Sequence, residues 1–146
     1  MTSLAVSEAA AEPAPAFTTE LRVRFADVDA AGILFYPRYF ELMNDVVEDW
    51  FDHLGFGFDQ MILEKGLALP TRKVEADYLR PSRLGDRLTA EVAVKSVGRT
   101  SLQVQISYRA GEELRWRCQA VLVLAETASG RPVPWPDDLK ARIEGR

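Results

Sequence analysis

The chain has 146 residues, of which 47% are hydrophobic, so it can form one domain with a buried core. The net charge is −4 and no long basic block is present, which argues against a nucleic-acid-binding surface. The single cysteine, Cys118, excludes an intrachain disulfide and suits a reducing compartment.

Residues 1–16 are rich in Ala, Pro and Glu, which predicts a flexible tail before a single domain at 17–146. The tail lacks the basic start and the continuous apolar run of a signal peptide. No apolar run approaches the ~20 residues that are needed to span a bilayer. We therefore expect a cytoplasmic protein without membrane partners.

Two segments with different periodicities begin the domain. FTTELRVRF at 17–25 alternates with period two, which predicts a half-buried strand with Phe25 on its inner side. From Pro37 to Leu54, apolar residues recur at spacings of three and four, which indicates a helix with a wide apolar face. Proline at its start and Gly55 just past its end are typical of helix boundaries.

The second half of the chain reads as a series of strands. A short helical turn ending at Gly66 precedes them, and the proline-rich C-terminal segment is expected to end in a short helix. Turn signals in VGRT and GEE indicate hairpins between the later strands. The predicted strands are at about 71–79, 86–97, 100–109 and 113–125.

The order of a strand, a long apolar helix and then strands in antiparallel succession predicts an α+β architecture. The economical arrangement is a curved, five-stranded antiparallel sheet that wraps around the central helix. A sheet this short leaves open edges, and pairing with a second copy of the chain would cover them. We therefore expect a homo-oligomer.

Two acids, Asp27 and Asp29, lie one residue apart in DVDAAGILFYPRYF, between the first strand and the helix. Aspartate is common in turns and caps, and this structural role is the simpler interpretation of either residue. Three neighbouring features favour a site instead. The AAG segment permits close approach, the helix N-terminus favours developing negative charge, and ILFY offers an apolar wall that would leave a carboxylate poorly hydrated. Together they indicate acyl-transfer chemistry.

The segment RVRFADVDAAGILFYPRYFELMNDVVEDWF closely resembles the signature of the 4-hydroxybenzoyl-CoA thioesterase family of hotdog-fold proteins. The resemblance extends from about Phe17 to about Glu126. It implies a five-stranded sheet wrapped around a long helix, in dimers that often pair into tetramers. It also implies an acyl-CoA substrate, with coenzyme A entering as part of that substrate and no separate cofactor or metal.

The resemblance assigns roles to individual residues. The family's catalytic carboxylate matches Asp29, which would act as a nucleophile or would activate a water. The backbone N–H that stabilises the oxyanion matches Tyr36, and Gly32 lies in the matching turn. Pro37 occupies a place where many relatives with aliphatic substrates carry histidine, so the Tyr-Pro pair resembles the aryl-CoA branch. Asp27 is expected to support the turn.

Substrate contacts are expected on both sides of the thioester. Phe35 would shape the acyl pocket. Asn44 lies on the predicted apolar stripe of the helix, where it either bonds a neighbouring backbone group or meets a polar substituent of the acyl group. Lys95, Arg99 and Thr100, around the SVG hairpin, match the positions where the family often contacts CoA. Arg80 and Arg83 are alternative partners for the CoA phosphates.

Several other residues are expected to be structural. His53, the single histidine, lies in the last helical turn, which excludes a Ser-His-Asp triad. Cys118 is expected in the core, and no His and Cys cluster indicates zinc. Arg38, in the first helical turn, is expected to be solvated. Glu41 and Glu48 are expected to face solvent or a subunit partner.

We therefore expect an acyl-CoA thioesterase that acts on an aromatic or otherwise compact acyl-CoA. One alternative is a thioesterase for short or medium aliphatic acyl-CoA or acyl-carrier-protein substrates. Another is a module that binds acyl-CoA without turnover, which the acid-rich turn disfavours because a binder needs no carboxylate near the carbonyl.

Overall fold

The computed structural model describes residues 13–146. Within residues 13–146 there are two α-helices, α1 and α2, and seven strands, β1 to β7. The helices are α1 (Arg38–His53) and α2 (Asp137–Ile143). The strands are β1 (Phe17–Arg22), β2 (Leu67–Ala68), β3 (Thr71–Tyr78), β4 (Arg87–Val97), β5 (Ser101–Ala110), β6 (Glu113–Val123) and β7 (Ala125–Glu126).

Five of the strands form one antiparallel sheet in the order β1-β4-β5-β6-β3. β3 and β1 are therefore its two edges. Alternate residues of β4, β5 and β6 point towards α1 and are buried, since a strand presents its side chains to opposite faces in turn. The predicted α+β class, with a five-stranded antiparallel sheet wrapped around one central helix, is confirmed.

Helix α1 supplies the other half of the core. Its buried side chains recur at spacings of three and four, as predicted, and pack on the sheet. Pro37 precedes the first helical residue, and Gly55 follows the helix with a φ of +87°, a conformation that glycine adopts without strain. The buried residues of α1 are Tyr39, Leu42, Met43, Val46, Val47, Trp50 and Phe51.

The structure differs from the predicted elements at a few points. β1 ends at Arg22, and Phe25 belongs to a 3-10 turn, Phe25–Asp27, where it is exposed and not on the inner face of a strand. The short strands β2 and β7 pair with each other, and the sequence pattern had not indicated either of them. The predicted helical turn lies at Gln60–Glu64, and the predicted C-terminal helix is α2.

The prediction that Cys118 lies in the core is confirmed within residues 13–146. Cys118 is buried, and burial raises the pKa of its thiol to about 11. No helix in this part of the chain is both long and apolar enough to cross a bilayer. The predicted tail, residues 1–16, falls largely on residues 1–12, which lie outside the described residues. Within it, the N–H of Ala16 donates a hydrogen bond to the Val92 carbonyl of β4.

Candidate active site

The AAG turn forms the tip of a small hairpin between the 3-10 turn and α1. Val28 and Leu34 pair across it, and the Asp29 N–H donates to the Ile33 carbonyl at 3.0 Å. The Gly32 N–H in turn donates to the Asp29 carbonyl at 2.9 Å, which closes a β-turn. Gly32 has a φ of +76°, so glycine is required by the backbone at this position.

The carboxylate of Asp29 lies at the exposed tip of this hairpin. Its Oδ1 accepts the Ala31 N–H at 2.9 Å and lies 3.4 Å from the Ile33 N–H, whereas Oδ2 has no hydrogen-bond partner within residues 13–146. One oxygen therefore stabilises the turn and the other is available for chemistry. The expected poorly hydrated surroundings are wrong for a single chain, because Asp29 is exposed and so are the neighbouring side chains of Phe35 and Tyr36.

Asp27 has the structural role that was expected of it. It is 2% exposed, and its carboxylate accepts the Arg24 N–H at 2.8 Å and the Arg38 Nε–H at 2.7 Å. Its backbone carbonyl accepts the Phe35 N–H at 3.0 Å. Asp27 thus joins the start of the hairpin, its end and the first turn of α1.

Arg38 is not the freely solvated cation that the sequence indicated. Its side chain pairs with Asp27 on one side and with the exposed Glu41 at 3.0 Å on the other. These hydrogen bonds raise the pKa of the Arg38 guanidinium, and the bond that it donates to Asp27 has the largest effect. The two carboxylates offset the unfavourable position of a cation at a helix N-terminus.

The backbone before α1 leaves one N–H directed away from the helix. The Phe35 carbonyl accepts the Arg38 N–H at 2.9 Å, and the N–H of the same peptide unit, that of Tyr36, has no hydrogen-bond partner among the described residues. The C=O and N–H of a trans peptide point in opposite directions. Because the carbonyl turns towards the helix, the Tyr36 N–H turns outwards and can meet an oxyanion.

A groove of about 350 Å³ opens beside Tyr36. Its walls are mainly aromatic and aliphatic, and Arg80 is the one cation among its lining residues within 13–146. Tyr39 forms the buried wall, and its ring packs edge-on against Tyr78 at 4.9 Å and in a tilted geometry against Trp116 at 5.4 Å. The lining residues are Ile33, Leu34, Tyr36, Tyr39, Tyr78, Leu79, Arg80 and Pro81.

The loop at 80–86 holds the hairpin from its other side. The Leu34 N–H donates to the Ser82 carbonyl at 2.8 Å, and the Leu84 N–H donates to the Gly32 carbonyl at 3.0 Å. The Asp86 carboxylate closes this loop, because it accepts the Arg83 N–H at 2.9 Å and the Arg115 guanidinium at 3.0 Å. These contacts, led by the Arg83 N–H, lower the pKa of Asp86.

The lowered pKa of Asp86 predicts an acid-sensitive contribution to stability. A carboxyl group with a lower pKa in the folded state stabilises the fold above its unfolded pKa of ~3.9, and this contribution is lost as pH falls through the folded pKa. Asp86→Asn should therefore lower the free energy of unfolding by roughly 1 kcal/mol at neutral pH. Urea titrations at several pH values should show the difference from wild type shrinking below pH ~3.9. A difference that is independent of pH would contradict this assignment.

The structure separates the remaining predicted substrate contacts from the groove. Asn44 is exposed on α1, so the expectation that it is a buried amide on the apolar stripe is wrong for the single chain. Lys95 is exposed at a bulge of β4 and borders a different cleft, with Lys73 and Gln119, on the sheet face opposite α1. Arg99 and Thr100 lie in the β4–β5 turn, where their carbonyls accept the Trp135 and Leu124 N–H groups.

Sequence reasoning missed the part that Tyr78 plays. It is the last residue of β3, and its hydroxyl donates to the Tyr36 carbonyl at 2.6 Å across 42 positions of the chain. No spacing rule links residues so far apart, although a tyrosine at the end of a strand that enters the Pro81 loop is a weak signal. The Asp27–Arg38 pair was missed for a similar reason, since residues 11 apart are not predicted to meet by either helical or strand periodicity.

Comparison with known proteins places this chain in a family. The model of the thioesterase-like superfamily matches residues 23–143, and the chain belongs to this superfamily. The match confirms the predicted hotdog-fold acyl-CoA thioesterase family and, with it, the predicted enzyme class of thioester hydrolase. No group of three or more His, Cys, Asp or Glu side chains that could hold a metal is found in residues 13–146.

Individual relatives are distant in sequence and similar in fold. The 1,4-dihydroxy-2-naphthoyl-CoA hydrolase of Synechococcus elongatus is 26% identical over 119 residues, covering 81% of this chain and 88% of the relative. A solved 1,4-dihydroxy-2-naphthoyl-CoA thioesterase from Synechocystis has a TM-score of 0.76 at 23% identity, covering 87% and 94% of the two chains. A mutant 4-hydroxybenzoyl CoA thioesterase complexed with 4-hydroxybenzoyl CoA has a TM-score of 0.79 at 24% identity, covering 87% and 97%. At these identities the structural likeness shows the fold alone.

Proposed function

We propose that this protein hydrolyses the thioester of an aromatic acyl-CoA to a free carboxylic acid and CoA. The observation that carries the proposal is the hairpin that joins Asp29 to Tyr36. Among residues 13–146, its tip presents an Asp29 carboxylate oxygen without a hydrogen-bond partner, and the turn after it presents the Tyr36 N–H, also without one, beside the aromatic groove. A carboxylate and an oxyanion donor are the two groups that thioester hydrolysis needs.

Two routes are compatible with this arrangement. In one, Asp29 attacks the thioester carbonyl, the C–S bond breaks to release CoA thiolate, and water then hydrolyses the mixed anhydride. In the other, Asp29 removes a proton from a water that attacks the same carbonyl. In both, the negative charge on the carbonyl oxygen is stabilised by the Tyr36 N–H. Neither route uses a metal or a separate cofactor.

The groove supports an aromatic acyl group over an aliphatic chain. Tyr39 and Tyr78 offer ring faces and edges for aromatic contact, and about 350 Å³ lies within the usual range of small-molecule sites. The relatives named above include a hydrolase for 1,4-dihydroxy-2-naphthoyl-CoA, which is also an aryl thioester. Arg80, at the rim, is the nearest candidate for a CoA phosphate. Contacts from Lys95, Arg99 and Thr100 stay predictions, as does the cytoplasmic location.

The substrate class is tested by thiol release from a panel of CoA thioesters: benzoyl, 4-hydroxybenzoyl, phenylacetyl, acetyl, hexanoyl and palmitoyl. We expect the highest kcat/KM with the aryl esters. A preference for hexanoyl or palmitoyl esters would keep the mechanism and contradict the aromatic assignment. Binding of the esters without thiol release would contradict hydrolysis and favour the binding module.

We also propose that two copies of the chain associate through β3. This edge strand is exposed along most of its length, and Val74, Tyr78 and Tyr36 add exposed apolar surface next to it. An open edge of this kind pairs readily with a second strand.

Val74→Lys should convert the oligomer to a monomer, because a charge on an edge strand opposes strand pairing. Sedimentation velocity should report at least twice the mass of one chain for wild type and a single-chain mass for the variant. Thr18→Lys places the same charge on β1, at the opposite edge of the sheet, and serves as the matched control. A monomeric wild type, or dissociation by Thr18→Lys alone, would contradict association through β3.

A further inference from the structure

Tyr78 connects the end of β3 to the turn that precedes α1. Its hydroxyl donates to the Tyr36 carbonyl at 2.6 Å, while its ring packs edge-on against the buried Tyr39 and lines the groove. The side chain is 45% exposed, so its hydrogen bond lies at the rim of the groove and not deep in the core. This bond therefore holds the backbone of Tyr36, which also lines the groove.

The two peptide units that flank Tyr36 are each held by one hydrogen bond. On the N-terminal side, the Phe35 carbonyl accepts the Arg38 N–H. On the C-terminal side, Pro37 has no N–H, so the peptide unit can be held only through the Tyr36 carbonyl. Within residues 13–146 that carbonyl has no partner except the Tyr78 hydroxyl. The hydroxyl thus limits rotation about Tyr36 and with it the direction of the Tyr36 N–H.

We infer that Tyr78 is a positioning residue, whose hydroxyl holds the Tyr36 N–H in the direction that meets the thioester oxyanion. The inference rests on the proposed function, because it assigns Tyr78 a part in the same hydrolysis. Displacements of about 1 Å at a catalytic group can cost on the order of 100-fold in rate. A single hydrogen bond to this turn is therefore expected to affect kcat more than substrate binding.

The Tyr78 phenol keeps its proton at neutral pH. Burial raises the pKa of Tyr78 above its ordinary value, so the hydroxyl remains a donor at neutral pH. The indole N–H of Trp116, whose ring packs edge-on against that of Tyr78, lowers the pKa of Tyr78 by less than burial raises it. A neighbouring donor of this kind favours the orientation in which the phenol proton points to the Tyr36 carbonyl.

The test is Tyr78→Phe, which removes the hydroxyl and keeps the ring in the groove. We expect kcat to fall on the order of tenfold or more with an aryl-CoA ester, while KM changes little. In the Asp29→Asn background, the same change should leave the Kd of the ester unaltered, since binding uses the ring. Sedimentation velocity should give wild-type mass, which separates this effect from loss of the β3 interface.

Tyr108→Phe is a matched control. The Tyr108 hydroxyl also donates to a backbone carbonyl at the start of α1, that of Tyr39 at 2.8 Å, but Tyr108 is fully buried. We expect Tyr108→Phe to lower Tm more than Tyr78→Phe does and to leave kcat close to wild type. If kcat instead fell in proportion to Tm, so that Tyr108→Phe lost more activity than Tyr78→Phe, the role of Tyr78 would be structural and the inference would be wrong.

A second readout uses a fluorinated tyrosine at position 78, whose phenol ionises at lower pH than tyrosine. If the protonated hydroxyl holds the turn, the alkaline loss of kcat should move to lower pH in this protein. If wild type is active and Tyr78→Phe has the same kcat, the inference about Tyr78 is contradicted and the proposed function stands. Absence of thiol release from wild type with every ester would contradict the proposed function and the inference with it.

Discussion

Asp29→Asn is expected to lower kcat for aryl-CoA hydrolysis by about 10²–10⁴-fold, the range for loss of a positioned acid or base. An amide can neither attack the thioester carbonyl nor remove a proton from water. The fold should be retained, because an asparagine side-chain oxygen can accept the Ala31 N–H as the Asp29 Oδ1 does at 2.9 Å. Thiol release under saturating substrate measures kcat, and thermal unfolding measures the fold.

The control for Asp29→Asn is Asp138→Asn, which removes the same charge from an exposed position on α2. This control should hydrolyse the ester at the wild-type rate. If Asp29→Asn kept full turnover, Asp29 would be only a turn residue. If both variants lost activity equally, the loss would reflect overall charge and not the chemistry of Asp29.

Asp27→Ala is expected to have the largest effect on stability among the site variants. It removes a buried carboxylate that accepts both the Arg24 N–H and the Arg38 side chain. Breaking a fully buried ion pair costs about 3–5 kcal/mol, and the partial exposure of Arg38 reduces this to roughly 2 kcal/mol. Tm should fall by about 4–8 °C for a domain of this size.

Asp27→Ala should also lower kcat, on the order of tenfold, because the carboxylate ties the hairpin to α1. Glu41→Gln is the matched control, since it removes the other carboxylate that contacts Arg38 and leaves Asp27 in place. Because Glu41 is exposed, its effect on the free energy of unfolding should stay below ~1 kcal/mol. If Glu41→Gln lowered kcat and the free energy of unfolding as much as Asp27→Ala does, the effect would come from loss of any partner of Arg38 and not from loss of the buried Asp27 carboxylate.

Much of the fold followed from periodicity. The strands β3 to β6 and helix α1 begin and end within two residues of their predicted bounds, because each has one apolar face and a clear turn or glycine at its end. Phe25 was misplaced because alternation continues into FADVD, whereas the chain there forms a 3-10 turn around the Asp27 carboxylate. An alternating sequence pattern does not show that a buried carboxylate, here that of Asp27, hydrogen-bonds the backbone and ends the strand.

The site was predictable to a smaller extent. Motif resemblance indicated Asp29, Gly32 and Tyr36. The structure places Asp29 and Gly32 in one hairpin and Tyr36 in the turn that follows it before α1. Asn44 shows where helical spacing is insufficient. It has apolar neighbours at i−4 and i+3, yet it faces outwards, since the sheet covers only part of the circumference of α1.

The sequence by itself determined helix α1, the strands of the main sheet, their order along the chain, the α+β class and the turn that presents Asp29, since these depend on side-chain periodicity and on the conformational freedom of glycine. Only the tertiary structure decided which groups meet at the site. It brought the Tyr78 hydroxyl to Tyr36, Arg38 to Asp27, and the loop at 80–86 to the hairpin. These contacts join residues far apart in the chain, and they form only when the sheet closes around α1 and leaves buried polar groups that must find partners.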